Sequence, residues 1–237
     1  MWLLGWVAYP ILSAGLSPLD AGMMRYTLFT IGLIWEFVLA MTIVYLEEGD
    51  LRFSTIRRRF WLNHPISAKT GETKKRLWWW ILPLTLLVAA VEIGLRSTLV
   101  NLWTAVFPFF AQPAGYDVSA IFSPVQRAHW VGAWGFFAFF FVNALFNTFL
   151  GEEFIFRGVL LPRMEGLFGK WAWVANGVIF GFYHLHQPWG ILSSVVSGLI
   201  YAFSAKHFRS TLFSIILHSG QSVYLLFLIL GLVLGLA

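Results

Sequence analysis

The chain contains no cysteine. Disulfides, thiolate nucleophiles and cysteine-ligated zinc are therefore excluded. Charge is scarce too: charged residues make up 11% of the sequence, against about 25% in ordinary soluble domains. Aspartate is nearly missing from the apolar stretches. Several hydrolytic signatures are also absent. There is no GxSxG, and Val195-Val196-Ser197-Gly198 lacks the leading glycine of a GxSG serine motif. There is no GxGD pair of aspartates and no HExxH. No fixed-period repeat or low-complexity segment occurs.

What the chain has is apolar surface. Hydrophobic residues make up 59%, with 13 Trp and 24 Phe suited to lipid-facing surfaces and interfacial belts. The composition predicts an all-α fold, a polytopic transmembrane helix bundle of about seven to eight helices. At this length one membrane-embedded domain, 1–237, is expected. Residues 1–128 supply N-terminal spans and 129–225 the core that carries the chemistry. The net charge of +5 does not point to nucleic acid, because half of the basic residues lie in the loop 47–76. That loop holds Arg52, Arg57, Arg58, Arg59, Lys69, Lys74, Lys75 and Arg76. By the positive-inside rule it marks the cytoplasmic side, with binding of anionic headgroups a secondary reading.

Apolar runs at 2–17, 24–46, 78–95, 129–160, 171–186, 190–205 and 210–236 read as spans. Residues 2–17 lack a basic leader, so they read as a membrane helix and not a cleaved signal. Residues 98–111 are too short for a separate crossing and read as a continuation or an interfacial helix. Residues 112–127, with Pro113, Gly115, Asp117 and Pro124, read as a loop. Seven crossings from an inside N-terminus place the basic stretches 47–76, 162–170 and 206–209 together in the cytoplasm.

Within this apolar background, Glu152, Glu153 and Arg157 stand out. Charged side chains at membrane depth are costly and usually functional. Glu153 and Arg157 are four apart and share a helical face, with the acid on the N-terminal side. They are expected to neutralise each other. Glu152 points about 100° away, without that partner, as a desolvated carboxylate suited to general-base work. Glu36, inside the second span, reads as a structural polar contact.

Two histidines complete a constellation. Asn176, Phe180 and His184 are spaced by four in one span, and Ser214, His218 and Ser222 in another. Gly177 and Gly181 form a GxxxG that lets a neighbouring helix approach, and the 193–198 stretch is rich in small residues. At about 1.5 Å per residue, Glu152 lies roughly 16–20 Å from the 163–166 turn. His184 lies roughly 20 Å from Lys170, and His218 roughly 14 Å from Arg209. Three ionisable groups thus reach similar depth on three helices. Two imidazoles and a carboxylate are a possible zinc set. In the simpler scheme a carboxylate and an imidazole activate a water, and a second imidazole and a hydroxyl stabilise an oxyanion. His186 lies about 200° round from His184 and is left out of the site.

Together these residues resemble the CAAX prenyl protease and bacteriocin-processing family (CPBP, also called Abi). Its first motif, EExxxR, is Glu152-Glu153-Phe154-Ile155-Phe156-Arg157. The second, FxxxH, is Phe180-Gly181-Phe182-Tyr183-His184. The third is a His followed four residues later by Asn or a small polar residue, here His218-Ser219-Gly220-Gln221-Ser222. The resemblance covers about residues 130–225. It implies a glutamate-type intramembrane endopeptidase that needs no cofactor or metal and has a cleft open to the cytoplasm. Its partners would be a membrane-associated protein or peptide substrate and the lipid bilayer, in a cell inner (plasma) membrane. Carried over by position, Glu152 and His184 activate water, and His218 and Ser222 form the oxyanion site. Glu153, Arg157 and Phe180 support them. The departure is Ser222, where better-known members have Asn; a hydroxyl reaches less far than a carboxamide. Gln221 sits on another face. The alternative is a non-catalytic membrane scaffold or bacteriocin self-immunity protein of the same fold.

Overall fold

The computed structural model describes residues 1–236. Among these, the only β pairing is an isolated bridge, Ile66–Thr73, inside the basic loop. Everything else is helix and turn. The helices are α1 (Tyr9–Leu12, entered through a π turn, Leu4–Ala8), α2 (Pro18–Glu48), α3 (Phe53–Arg59) and α4 (Lys75–Val106). They continue with α5 (134–168), α6 (Ala172–Tyr183), α7 (Ile191–Phe208) and α8 (Thr211–Val233). Five helical runs are long and apolar enough to cross a bilayer: α2, α4, Trp134–His186, Pro188–Phe208 and α8. Their outer faces are bare hydrocarbon, as at Leu86, Ile93 and Phe227. The chain is a helical membrane protein.

Local chemistry sets the helix ends. Pro18 opens α2 behind Ser17, whose hydroxyl accepts from the Asp20 backbone N–H at 3.2 Å. Gly49, at φ 76°, closes it in the left-handed conformation. The run Trp134–His186 reverses at Gly169, φ 52°. In a straight helix Phe156 and Asn176 would stand about 30 Å apart; instead Asn176 Nδ2 donates to the Phe156 carbonyl at 2.8 Å. α6 and α7 then pack tightly. A Cβ on Gly177 would lie 2.7 Å from the Leu199 nitrogen, and one on Gly181 2.9 Å from the Val195 nitrogen. The expected close approach at the GxxxG is present.

The basic stretches gather at one end, as expected. Glu47 pairs with Arg59 at 2.5 Å and also with Arg163. Glu165 pairs with Lys206 at 3.2 Å and Arg209 at 2.7 Å. Backbone bonds tie Ile66 to Phe208 (2.8 Å) and Thr211 to Trp61 (3.1 Å). Above this end lies an apolar plug of Val44, Phe60, Phe154, Phe156, Val159 and their neighbours.

One boundary agrees with expectation and one differs. Residues 98–106 continue α4, which ends at Val106, one of the two forms expected of 98–111. Residues 2–17 do not make a full crossing. Their helix stops at Leu12 and the chain turns at Gly15, φ 77°. The 11 helical residues span only about 17 Å, short of the 30 Å hydrocarbon core. Met1 packs on Gly32, part-way down α2, and Gly5 packs on His186. Apolar composition did not report how short the helix in this segment is.

Candidate active site

The acids sit on a distorted part of α5. Leu145–Gly151 and Phe154–Leu160 are π-helical, flanking Glu152 and Glu153. Such turns are rare and frequent at functional sites. Here the wider turn changes which residues share a face. In an α-helix Asn147 would lie about 140° round from Glu152. In a π turn residues five apart are hydrogen-bond partners along the axis, so Asn147 moves towards the face of Glu152.

Glu152, His184 and His218 converge from α5, the turn after α6, and α8. His184 Nε2 lies 3.9 Å and His218 Nε2 3.6 Å from the two Glu152 oxygens. All are buried or nearly so, with Glu152 3% exposed. His184 Nδ1 bonds the Phe180 carbonyl at 2.8 Å. That bond makes Nδ1 the donor and leaves Nε2 as an acceptor facing the acid.

His218 bridges the two acids. Its Nδ1 is 3.1 Å from Glu153 Oε1, the same oxygen that pairs with Arg157 at 3.1 Å. The expected Glu153–Arg157 pair is therefore present, fully buried, and it also fixes an imidazole. Arg157 donates to the Gly198 carbonyl at 3.3 Å and lies over the Phe180 ring, 4.2 Å from its centroid. Phe180 in turn contacts the His184 and His218 rings edge-on, at 4.8 and 5.8 Å between centroids. Tyr201 stacks on His218 at 4.8 Å. Ser222 is 7% exposed and receives a long hydrogen bond from Asn147 Nδ2, 3.5 Å.

Glu152, His184, His218, Phe180 and Tyr201 wall part of a polar cavity of about 250 Å³, which Asn147, Gln221 and Ser222 also line. Asn176 and Ser214, on the same helical faces, stay outside it. The first ties α6 to α5, and the second bonds its own helix at the Thr211 carbonyl, 3.0 Å.

Residues 132–224 match the family model described as Rce1-like, type II CAAX prenyl endopeptidase Rce1-like. This stretch of the chain is similar to that family. The match and the resemblance read from the three motifs cover the same residues, and the converging groups all fall within it. The Rce1-like family is one of endopeptidases. No curated protein and no solved structure matches the chain.

Sequence reasoning missed several groups. Asn147 was hidden by the π turn. Glu92 of α4 reaches the cavity, where Ser197 donates to it and Arg96 pairs with it at 2.9 Å. Glu36, by contrast, was read as a structural contact, and it accepts from the hydroxyl of the part-buried Tyr183. His186 lines the cavity with its ring 5.4 Å from that of His184, because α6 ends at Tyr183 and a tighter 3-10 turn follows. Only Glu36, Glu92 and Arg96 left a signal in the sequence, as lone charges in apolar runs. Among the described residues, no group of three or more His, Asp or Glu side chains is arranged as metal ligands.

Proposed function

We propose that the protein is an intramembrane endopeptidase that hydrolyses a peptide bond of a membrane-associated protein or peptide, in the inner (plasma) membrane of a cell. The observation that carries this reading is the convergence of Glu152, His184 and His218 on one polar cavity inside an apolar bundle.

A water bound between Glu152 and His184 gives one hydrogen to the carboxylate and the other to Nε2. Its oxygen lone pair is then free to attack a carbonyl carbon. Glu152 takes the proton as the C–O bond forms. The oxyanion accepts hydrogen bonds from His218 Nε2 and the Asn147 amide, with Ser222 Oγ alongside. For this, the Nε2 of His218 must carry a proton. Glu152 then passes its proton to the leaving nitrogen as the C–N bond breaks. Arg157 neutralises Glu153, and Phe180 holds both imidazoles apart.

The test compares purified protein with Glu152→Gln. Each is incubated with membrane proteins in detergent, and new peptide termini are read by mass spectrometry. Termini produced by the parent and missing with the variant support the reading. Termini produced equally by both exclude it.

A further inference from the structure

Most residues that line the cavity lie on the half of their helix remote from the basic stretches; Glu152 sits near the middle of α5, and Tyr201, His218 and Gln221 lie somewhat nearer the basic end. α2 contributes Tyr26, Phe29 and Leu33, while its other end carries Glu47 and Glu48. α4 begins at Lys75 and contributes Glu92 and Arg96, about 25–32 Å further along. α5 contributes nothing beyond Glu152, and its far end holds Arg163. α7 contributes residues up to Tyr201, before Lys206 and Arg209. Towards the basic end the way is closed by Phe60, Phe156, Val159 and Phe213, each less than a tenth exposed.

At the other end the cavity is open. Arg96 is 47% exposed, and Gln187 lies on the turn beside it. A second cavity of about 240 Å³ adjoins the first, sharing Tyr26, Phe29, Arg96, Gln187 and Trp189. It reaches Gln112 and Asp117 of the 107–127 loop. Ser119 donates to Asp117 from its backbone N–H and its hydroxyl, which holds that carboxyl below the usual range. This end is therefore polar and faces water.

The charge asymmetry is large. Of 16 Lys and Arg, 12 lie at the basic end: eight in the 47–76 loop, then Arg163, Lys170, Lys206 and Arg209. Arg157 is buried mid-bundle. Arg25, Arg96 and Arg127 make up the rest, and Arg25 is itself buried. By the positive-inside rule the basic end is cytoplasmic. The family resemblance implies a cleft open to the cytoplasm. On this structure the two expectations exclude each other, because the basic end and the open end are opposite.

We infer that the catalytic cavity opens on the non-cytoplasmic face of the membrane and takes an extended peptide segment from that side. The inference rests on the peptidase reading for what enters, and on charge and cavity direction for where. The lining suits a main chain: Asn143, Asn147, Ser194, Gln187 and Gln221 offer donors and acceptors, and apolar anchors of the substrate can stay in lipid. A cytoplasmic tail would have to pass the apolar plug.

Because the chain has no cysteine, single-cysteine variants need no altered background. Gln112→Cys, Gln187→Cys, Arg96→Cys and Thr70→Cys are each placed in sealed right-side-out membranes and treated with a membrane-impermeant maleimide. Cysteines at 112, 187 and 96 should be labelled before the membrane is disrupted, and that at 70 only afterwards. Labelling of 70 alone from outside overturns the inference. So does failure to label 187 and 96 from outside while 112 is labelled, since the mouth is then closed at that face. Glu152→Gln added to each variant should leave the pattern unchanged. Sidedness and hydrolysis thus fail in separate measurements: a silent Glu152→Gln comparison removes the peptidase, while the labelling still reads where the cavity opens.

Discussion

The Nδ2 of Asn147 lies 3.5 Å from the Oγ of Ser222. The two residues come from α5 and α8 and meet on the wall of the polar cavity. A carboxamide stands beside the position where the family pattern has its own, but it is supplied by a different helix. If it stabilises an oxyanion, Asn147→Ala should lower kcat by about 10²–10³-fold, the usual loss of one such donor, with KM little changed. Ser222→Ala should cost far less. Steady-state cleavage of a substrate peptide by the three proteins decides between them, and a larger loss from Ser222→Ala would return the role to the hydroxyl.

The Glu153–Arg157 pair is completely buried, and its carboxylate also holds His218. Removing one partner strands a charge, at a cost of about 3–5 kcal/mol. Arg157→Met should therefore lower the unfolding temperature in detergent strongly. Glu153→Gln should do so as well, and should also weaken activity, since Nδ1 of His218 then faces a neutral amide. Replacing both together should destabilise less than the sum of the two. Thermal unfolding of the four proteins gives the coupling directly; additive losses would mean that the pair does not act as a unit.

Metal dependence separates two uses of the same three side chains. In the proposed scheme Glu152 is a base, and the water needs no metal to activate it. Activity should persist after dialysis against a strong chelator, and elemental analysis should find no stoichiometric zinc. Loss on chelation with recovery on adding zinc would make Glu152, His184 and His218 ligands and replace the general-base step.

Much of this site is legible in the sequence because helices are periodic. Spacings of four put Glu153 beside Arg157 and Phe180 beside His184, and both contacts are present. Depth counted in residues brought the acid and both histidines to one level. The same arithmetic failed where the helix was not α. The π turns at 145–151 and 154–160 re-phase α5, so a 100° step misplaces Asn147. The 3-10 turn after Tyr183 does the same for His186. Residues 2–12 show another limit: hydropathy reports solvent, while depth is set by what the segment packs against, here Gly32 and His186. The contact of Glu92 with Ser197 was illegible because the two lie 105 residues apart and nothing local joins them.

Glycine substitutions offer the most direct test of how α6 and α7 hold His184 in place. A Cβ at Gly181 would lie 2.1 Å from Val195 Cγ2 and 2.9 Å from the Val195 backbone. The side chain can turn aside, but the backbone contact remains, so Gly181→Ala must push the helices apart. His184 sits three residues further on and moves with them. Overpacking of this kind costs about 1–3 kcal/mol, and a displaced base partner should lower kcat beyond what the stability loss explains. Gly166, in α5, has nothing within 4 Å of its added methyl. There Ala should stabilise by roughly 0.5–1 kcal/mol through helix propensity alone, leaving kcat unchanged. Unfolding temperatures and cleavage rates of Gly181→Ala and Gly166→Ala should therefore move in opposite senses from the parent for stability, and only the first should lose activity. Equal behaviour of the two would mean that α6 and α7 do not pack through backbone contact, and that His184 is positioned by something other than the GxxxG face.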